Sequence, residues 1–164
     1  TREEAKQKME DLRVSIKEEK DAARAKIKET RIVGREKALE RFDTAVERMN
    51  ALKERVNAQI NKLEVKGVDI AVAENFVATA ETKLSDAKTK ILETHALFTV
   101  STSELTESAK TTLRTLTKEI DTLLKETHRA LNDAVKSLKY ALKIKAEADT
   151  AATASTGVTT ETSQ

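Results

Sequence analysis

Residues able to do chemistry are few in this chain and stand far apart. It has two histidines, His95 and His128, three glycines and no cysteine. Metal sites inside helical bundles pair a Glu and a His three residues apart on facing helices. Three residues before these histidines stand Leu92 and Lys125, so both read as partly exposed helix histidines. Without cysteine there is no thiolate nucleophile, thiolate metal ligand or disulfide. Phosphate cradles need clustered glycines, and Gly34, Gly67 and Gly157 are isolated. Neighbouring carboxylates such as Glu18 and Glu19 belong to solvated helix faces rather than a cleft. A nucleophile, a base and a group to orient it cannot be assembled from this set. The expectation is a protein without catalytic, cofactor-binding or metal-ligating residues, and without a cofactor.

The chemistry that remains is charge. The net charge is +2, unevenly distributed. Residues 110–145 hold nine Lys/Arg and four Asp/Glu, whereas residues from 146 onward hold three acids and no base. At about 100° per residue on a helix, Lys118, Lys125, Arg129, Lys136 and Lys143 fall within about 20° of one line, with Arg114 close by. Leu113, Leu116, Ile120, Leu123, Leu131, Val135, Leu138 and Leu142 lie on the other side. A basic amphipathic helix of this kind suits an anionic polymer, a membrane surface or an acidic protein; otherwise it is a solvated outer face. Nucleic acid is disfavoured, because the face lacks aromatic residues for base stacking and the sequence pI is only about 8.7.

The elements that carry these residues are helical. Charged residues make up 35% of the 164, aromatics 2%, and there is no proline, the composition of long helices or coiled coils. No apolar run approaches the roughly 18–20 residues that span a bilayer. Residue 1 is threonine, as expected of a processed or truncated chain.

The clearest periodicity lies between Leu39 and Phe98. Leu39, Phe42, Val46, Met49, Val56, Ile60 and Leu63 follow three-four spacing, interrupted by Lys53. Ile70, Ala73, Val77, Ala80, Leu84, Ala87, Ile91 and Phe98 follow it again, interrupted by Thr94. This is the seam of supercoiled helices. Between them, Gly67 reads as a helix stop and Asp69 as the next N-cap. Folding there pairs positions whose numbers sum to about 133, the antiparallel register of a seam. Val56 then faces Val77, Val46 faces Ala87, and Lys53 faces Ala80. Large residues repeatedly meet alanine, so the helices can approach closely.

After Phe98 the hydroxyl-rich Thr99–Glu104 predicts a break, with Ser101 and Glu104 at capping-box spacing. The fold expected is all-α: an elongated antiparallel three-helix coiled-coil-type bundle over 35–148, with helices at about 35–66, 69–98 and 103–148. The alternative is a long two-helix antiparallel hairpin. Residues 1–34 form a charged helical overhang in this reading, with Met9, Leu12, Ile16, Ala23 and Ile27 as a candidate self-association surface. Residues 149–164, rich in Ser and Thr, read as a disordered tail.

The run from Arg48 to Asp69 (RMNALKERVNAQINKLEVKGVD), the alanine-spaced helix that follows to Lys90, and the stretch from Leu131 to Lys139 (LNDAVKSLK) resemble uncharacterised predicted exported coiled-coil proteins of uncultured bacteria. The likeness covers roughly residues 40–145. That group breaks before its last helix at a proline, which is absent here. The resemblance implies no activity and no functional residues, and it points to an exported or cell-surface location. The leading expectation is a non-enzymatic structural protein that binds itself as a homo-oligomer or filament. The alternative is an adaptor for an anionic partner at the basic stripe.

Overall fold

The computed structural model describes residues 2–17, 21–100 and 105–156. The fold is all-α, with four helices: α1 (Arg2–Lys17), α2 (Ala22–Glu64), α3 (Ala71–Val100) and α4 (Glu107–Thr156). No strand occurs among the described residues. No helix there is long and apolar enough to cross a membrane.

Local chemistry sets the helix ends. Asp21 opens α2, its carboxylate accepting the amides of Ala23 and Arg24 at 3.2 and 3.3 Å, two donors that lack a partner within the helix. At the far end Gly67 takes φ +72°. Its amide bonds to the Glu64 carbonyl at 2.8 Å, and the Val68 amide to the Leu63 carbonyl at 3.1 Å. These are the paired bonds of a Schellman stop, whose left-handed residue is cheapest as glycine. Asp69 then accepts the Ala71 amide at 3.0 Å. The N-cap of α4 is Thr106, whose hydroxyl accepts the Ala109 amide at 3.1 Å. The capping box expected at Ser101 and Glu104 lies outside the described residues.

Ion pairs between helices report the packing directions. Lys53 meets Glu81 at 3.2 Å and Arg35 lies over the Phe98 ring at 5.5 Å, so α2 and α3 run antiparallel in the register that the turn at Gly67 imposes. Lys83 meets Glu126 at 3.0 Å and Lys90 meets Glu119 at 3.4 Å. The later residue of α3 takes the earlier residue of α4, so these helices are antiparallel and lie side by side. Among the four described helices the α3–α4 contact is the most extensive. Ala73, Ala80, Ala130 and Ala134 share a buried cluster with Val56, Ile60, Val77, Leu131 and Leu138; the small residues bring helix axes together, and the large ones fill what is left. Above this layer Phe42, Ile91 and Ile120 form a second cluster.

The N-terminal segment differs from the overhang expected. α1 is folded back across α2 and α3, placing Ala5, Met9 and Ile16 in one buried cluster with Ile32, Leu39, Phe98 and Leu105. Arg2 meets Asp43 at 3.1 Å, and Arg13 bridges to Glu36. The physical reason is apolar burial. A solitary charged helix is marginal in water, and Met9 alone recovers roughly 1.5–3 kcal/mol by leaving it. α2 also runs unbroken through position 34, and residues 149–156, expected as tail, are helical; residues 157–164 lie outside the described residues. The projecting helix is at the opposite end. α4 outruns the α2–α3 turn, which it passes with Lys145 beside Gly67, and residues 146–153 are exposed.

Candidate functional site

α4 turns one face to the bundle and the other to water. Leu116, Ile120, Thr127, Leu131, Ala134 and Leu138 are buried, and the Thr127 hydroxyl is satisfied by donating to the Leu123 carbonyl at 2.8 Å. All six residues of the predicted stripe, Arg114, Lys118, Lys125, Arg129, Lys136 and Lys143, are exposed. The structure therefore brings them together along one side of one helix, as helical periodicity requires.

Their charge is only partly compensated. Lys136 meets Asp133 at 2.9 Å and Arg129 approaches the same carboxylate at 3.9 Å, so one acid serves two cations. Lys143 pairs with Glu147 at 3.8 Å. Among the described residues Arg114, Lys118 and Lys125 make no ion pair. Exposed pairs of this type contribute about 0–1 kcal/mol and are easily exchanged for another anion. The face can thus collect negative charge spread along its length.

The candidate self-association residues are divided. Met9 and Ile16 are buried and Leu12 half-buried, their apolar surface taken up by the chain's own α2 and α3. Ala23 and Ile27, on the first turns of α2, remain exposed. The five residues thus do not form one surface.

His128 is exposed, with Nδ1 3.2 Å from the Asn132 amide nitrogen. His95 corrects the reading of two partly exposed histidines: it is 2% exposed, because α1 covers it. A hollow of about 530 Å³ lies there, lined by Asp43 and His95 with Arg2, Glu3, Lys6, Glu10, Glu36 and Glu40. His95 Nδ1 and Asp43 Oδ2 are buried without a hydrogen bond; Arg2 Nε offsets the Asp43 charge from 3.1 Å. Burial pushes the His95 pKa below its ordinary value, and Arg2 adds to this while Asp43 opposes it. Sequence reasoning missed this cluster because it depends on α1 turning back. Among the described residues no three of His, Cys, Asp or Glu stand together in a group that could hold a metal ion.

Neither a family model, nor a curated protein, nor a solved structure matches this chain.

Proposed function

We propose that this chain is a non-enzymatic interaction protein, an adaptor that binds an extended anionic surface or polymer through the basic face of α4. In this reading α2, α3 and α4 form an antiparallel three-helix coiled-coil-type bundle that holds the face straight, and α1 is a short fourth helix laid across one end. The observation that carries the proposal is the exposure of all six cations along one line of α4 while the opposite face is core. Self-association through the N-terminal arm loses its main support, since Met9 and Ile16 pack within the chain itself.

The test is charge reversal at Lys125, Arg129 and Lys136, measured by cosedimentation with phosphatidylserine-containing vesicles and by binding to polyglutamate at low salt. The wild-type chain binds at low salt and releases as salt is raised, because screening shortens the reach of exposed charges to a few ångströms. The triple variant keeps its helicity and loses most of this binding. Unchanged binding by the variant would sink the proposal.

A second reading, self-association, draws on a different observation. Val65, Val72, Tyr140, Leu142 and Ile144 are large, exposed apolar residues, all near the end of the bundle from which α4 projects. Light scattering over a range of concentration tests it: a defined oligomer that Tyr140→Glu with Ile144→Glu converts to monomer supports it, and a monomer throughout removes it.

A further inference from the structure

The second charged line of the molecule runs along α2 and is acidic. At about 100° per residue, Glu29, Glu36, Glu40, Asp43, Glu47 and Glu54 fall within about 30° of one line, and between residues 29 and 54 that sector holds nothing else. Glu29, Glu40, Glu47 and Glu54 are exposed, and Glu36 and Asp43 are half-buried. Their spacing reads the same from either end, at steps of 7, 4, 3, 4 and 7 residues.

This line fits the basic line of α4. Lys118 to Lys143 spans 25 residues, as does Glu29 to Glu54, about 38 Å of helix. Laid antiparallel, Lys143, Lys136, Arg129, Lys125 and Lys118 face Glu29, Glu36, Asp43, Glu47 and Glu54 in turn. Laid parallel, the same cations taken from Lys118 face Glu29, Glu36, Glu40, Glu47 and Glu54. Every cation meets an acid in both directions, and none meets a base. Within one chain the two lines do not meet. Arg41 of α2 approaches Asp121 of α4 at 3.6 Å, and these lie about 120° round α2 from the acidic line and about 60° round α4 from the basic one.

α1 is the second, independent observation, because it shows what the acidic line accepts. Arg2 and Arg13, eleven residues apart and so on one side of α1, reach Asp43 and Glu36. A basic helix side is thus already seated on the middle of the line. Glu29, Glu40, Glu47 and Glu54 have no ion-pair partner on another helix among the described residues; Glu54 meets its neighbour Lys53 at 3.6 Å. The exposed acids include both ends of the line.

We infer that the anionic partner of the α4 face is the acidic line of α2 on a second copy of this chain. The inference rests on the adaptor reading above and names its partner. Because the two surfaces differ, one contact leaves an acidic and a basic line free, and further copies can add head to tail.

The test measures the mass of the full chain by sedimentation equilibrium over rising concentration, at low and high salt. At low salt the mass rises with concentration, and high salt returns it to monomer by screening. Glu29→Lys with Glu54→Lys, and separately Lys118→Glu with Lys143→Glu, each weaken association by roughly tenfold or more. These four residues face one another in either direction, so both pairs of changes in one chain restore association. Zero-length carbodiimide cross-links between isotope-labelled and unlabelled copies identify the direction, joining Lys118 to Glu54 if antiparallel and to Glu29 if parallel. A wild-type chain that stays monomeric at low salt up to about 1 mM, reversal variants that associate undiminished, or a combined variant that fails to recover each overturns the inference. Polyglutamate separates it from the adaptor reading, since the Glu29→Lys, Glu54→Lys chain keeps α4 intact and still binds it. A monomeric wild-type chain that binds polyglutamate removes only the second-copy assignment; one that does neither removes the α4 face as a docking surface.

Discussion

Replacing Gly34 by alanine should make the protein more stable, and the size of the gain follows from the structure. Position 34 is interior to α2, the backbone there is not left-handed, and open space surrounds the added methyl group. The substitution therefore meets no strain and no clash, and it removes the excess freedom of glycine in the unfolded chain. The gain is about 0.5–1 kcal/mol, or a rise in Tm of roughly 1–4 °C for a chain of this size. Gly67 supplies the control of opposite sign. With φ at +72°, alanine there is strained, and a loss of about 1 kcal/mol is expected. Urea unfolding followed by far-UV circular dichroism, with a shared slope, measures both. If Gly34→Ala is neutral or destabilising, α2 does not run through position 34 as a regular open-sided helix.

Other outcomes can be stated briefly. Ala80→Leu or Ala134→Leu inserts bulk into the closest-packed layer and should cost about 1–3 kcal/mol by wedging helices apart, read as a lower urea midpoint. Met9→Ala should cost about 2 kcal/mol or more, limited by the docking energy of α1; amide hydrogen exchange will show the loss concentrated in α1 and at Phe98. The lowered pKa of His95 sets a pH dependence of known sign. The unfolded chain takes up this proton more readily than the folded one, so stability is present near neutrality and declines as pH falls below about 6.5. Asp43 moderates the decline, and His95→Gln should flatten it, as measured by urea midpoints at neutral and mildly acid pH.

The α2–α3 hairpin was legible because two kinds of signal agreed. Gly67 and Asp69 fix the turn, and the heptad spacing of Leu39–Leu63 and Ile70–Phe98 then permits one register, which the Lys53–Glu81 and Arg35–Phe98 contacts follow. The exposure of the basic stripe was legible for the same reason, since periodicity alone decides which side of α4 faces away from Ile120 and Leu131. The return of α1 was not. Lys17 to Asp21 contains no proline or glycine, and Asp21 looks in sequence like any acid on a charged helix, although it is the cap of α2. Every consequence of that return was hidden with it, including the burial of His95.

The length of α4 gives the proposed adaptor a scale of its own. Arg114 and Lys143 are 29 residues apart on one helix, about 44 Å at 1.5 Å per residue. A lone phosphate touches one or two of the six cations, whereas a chain or sheet of charge engages them all at once. Because each further contact is made by a ligand already held nearby, avidity climbs with ligand extent. A graded series of acidic oligomers should therefore show weak capture up to a threshold comparable with that span, and tight capture beyond it, which would make the helix a ruler for the size of what it holds.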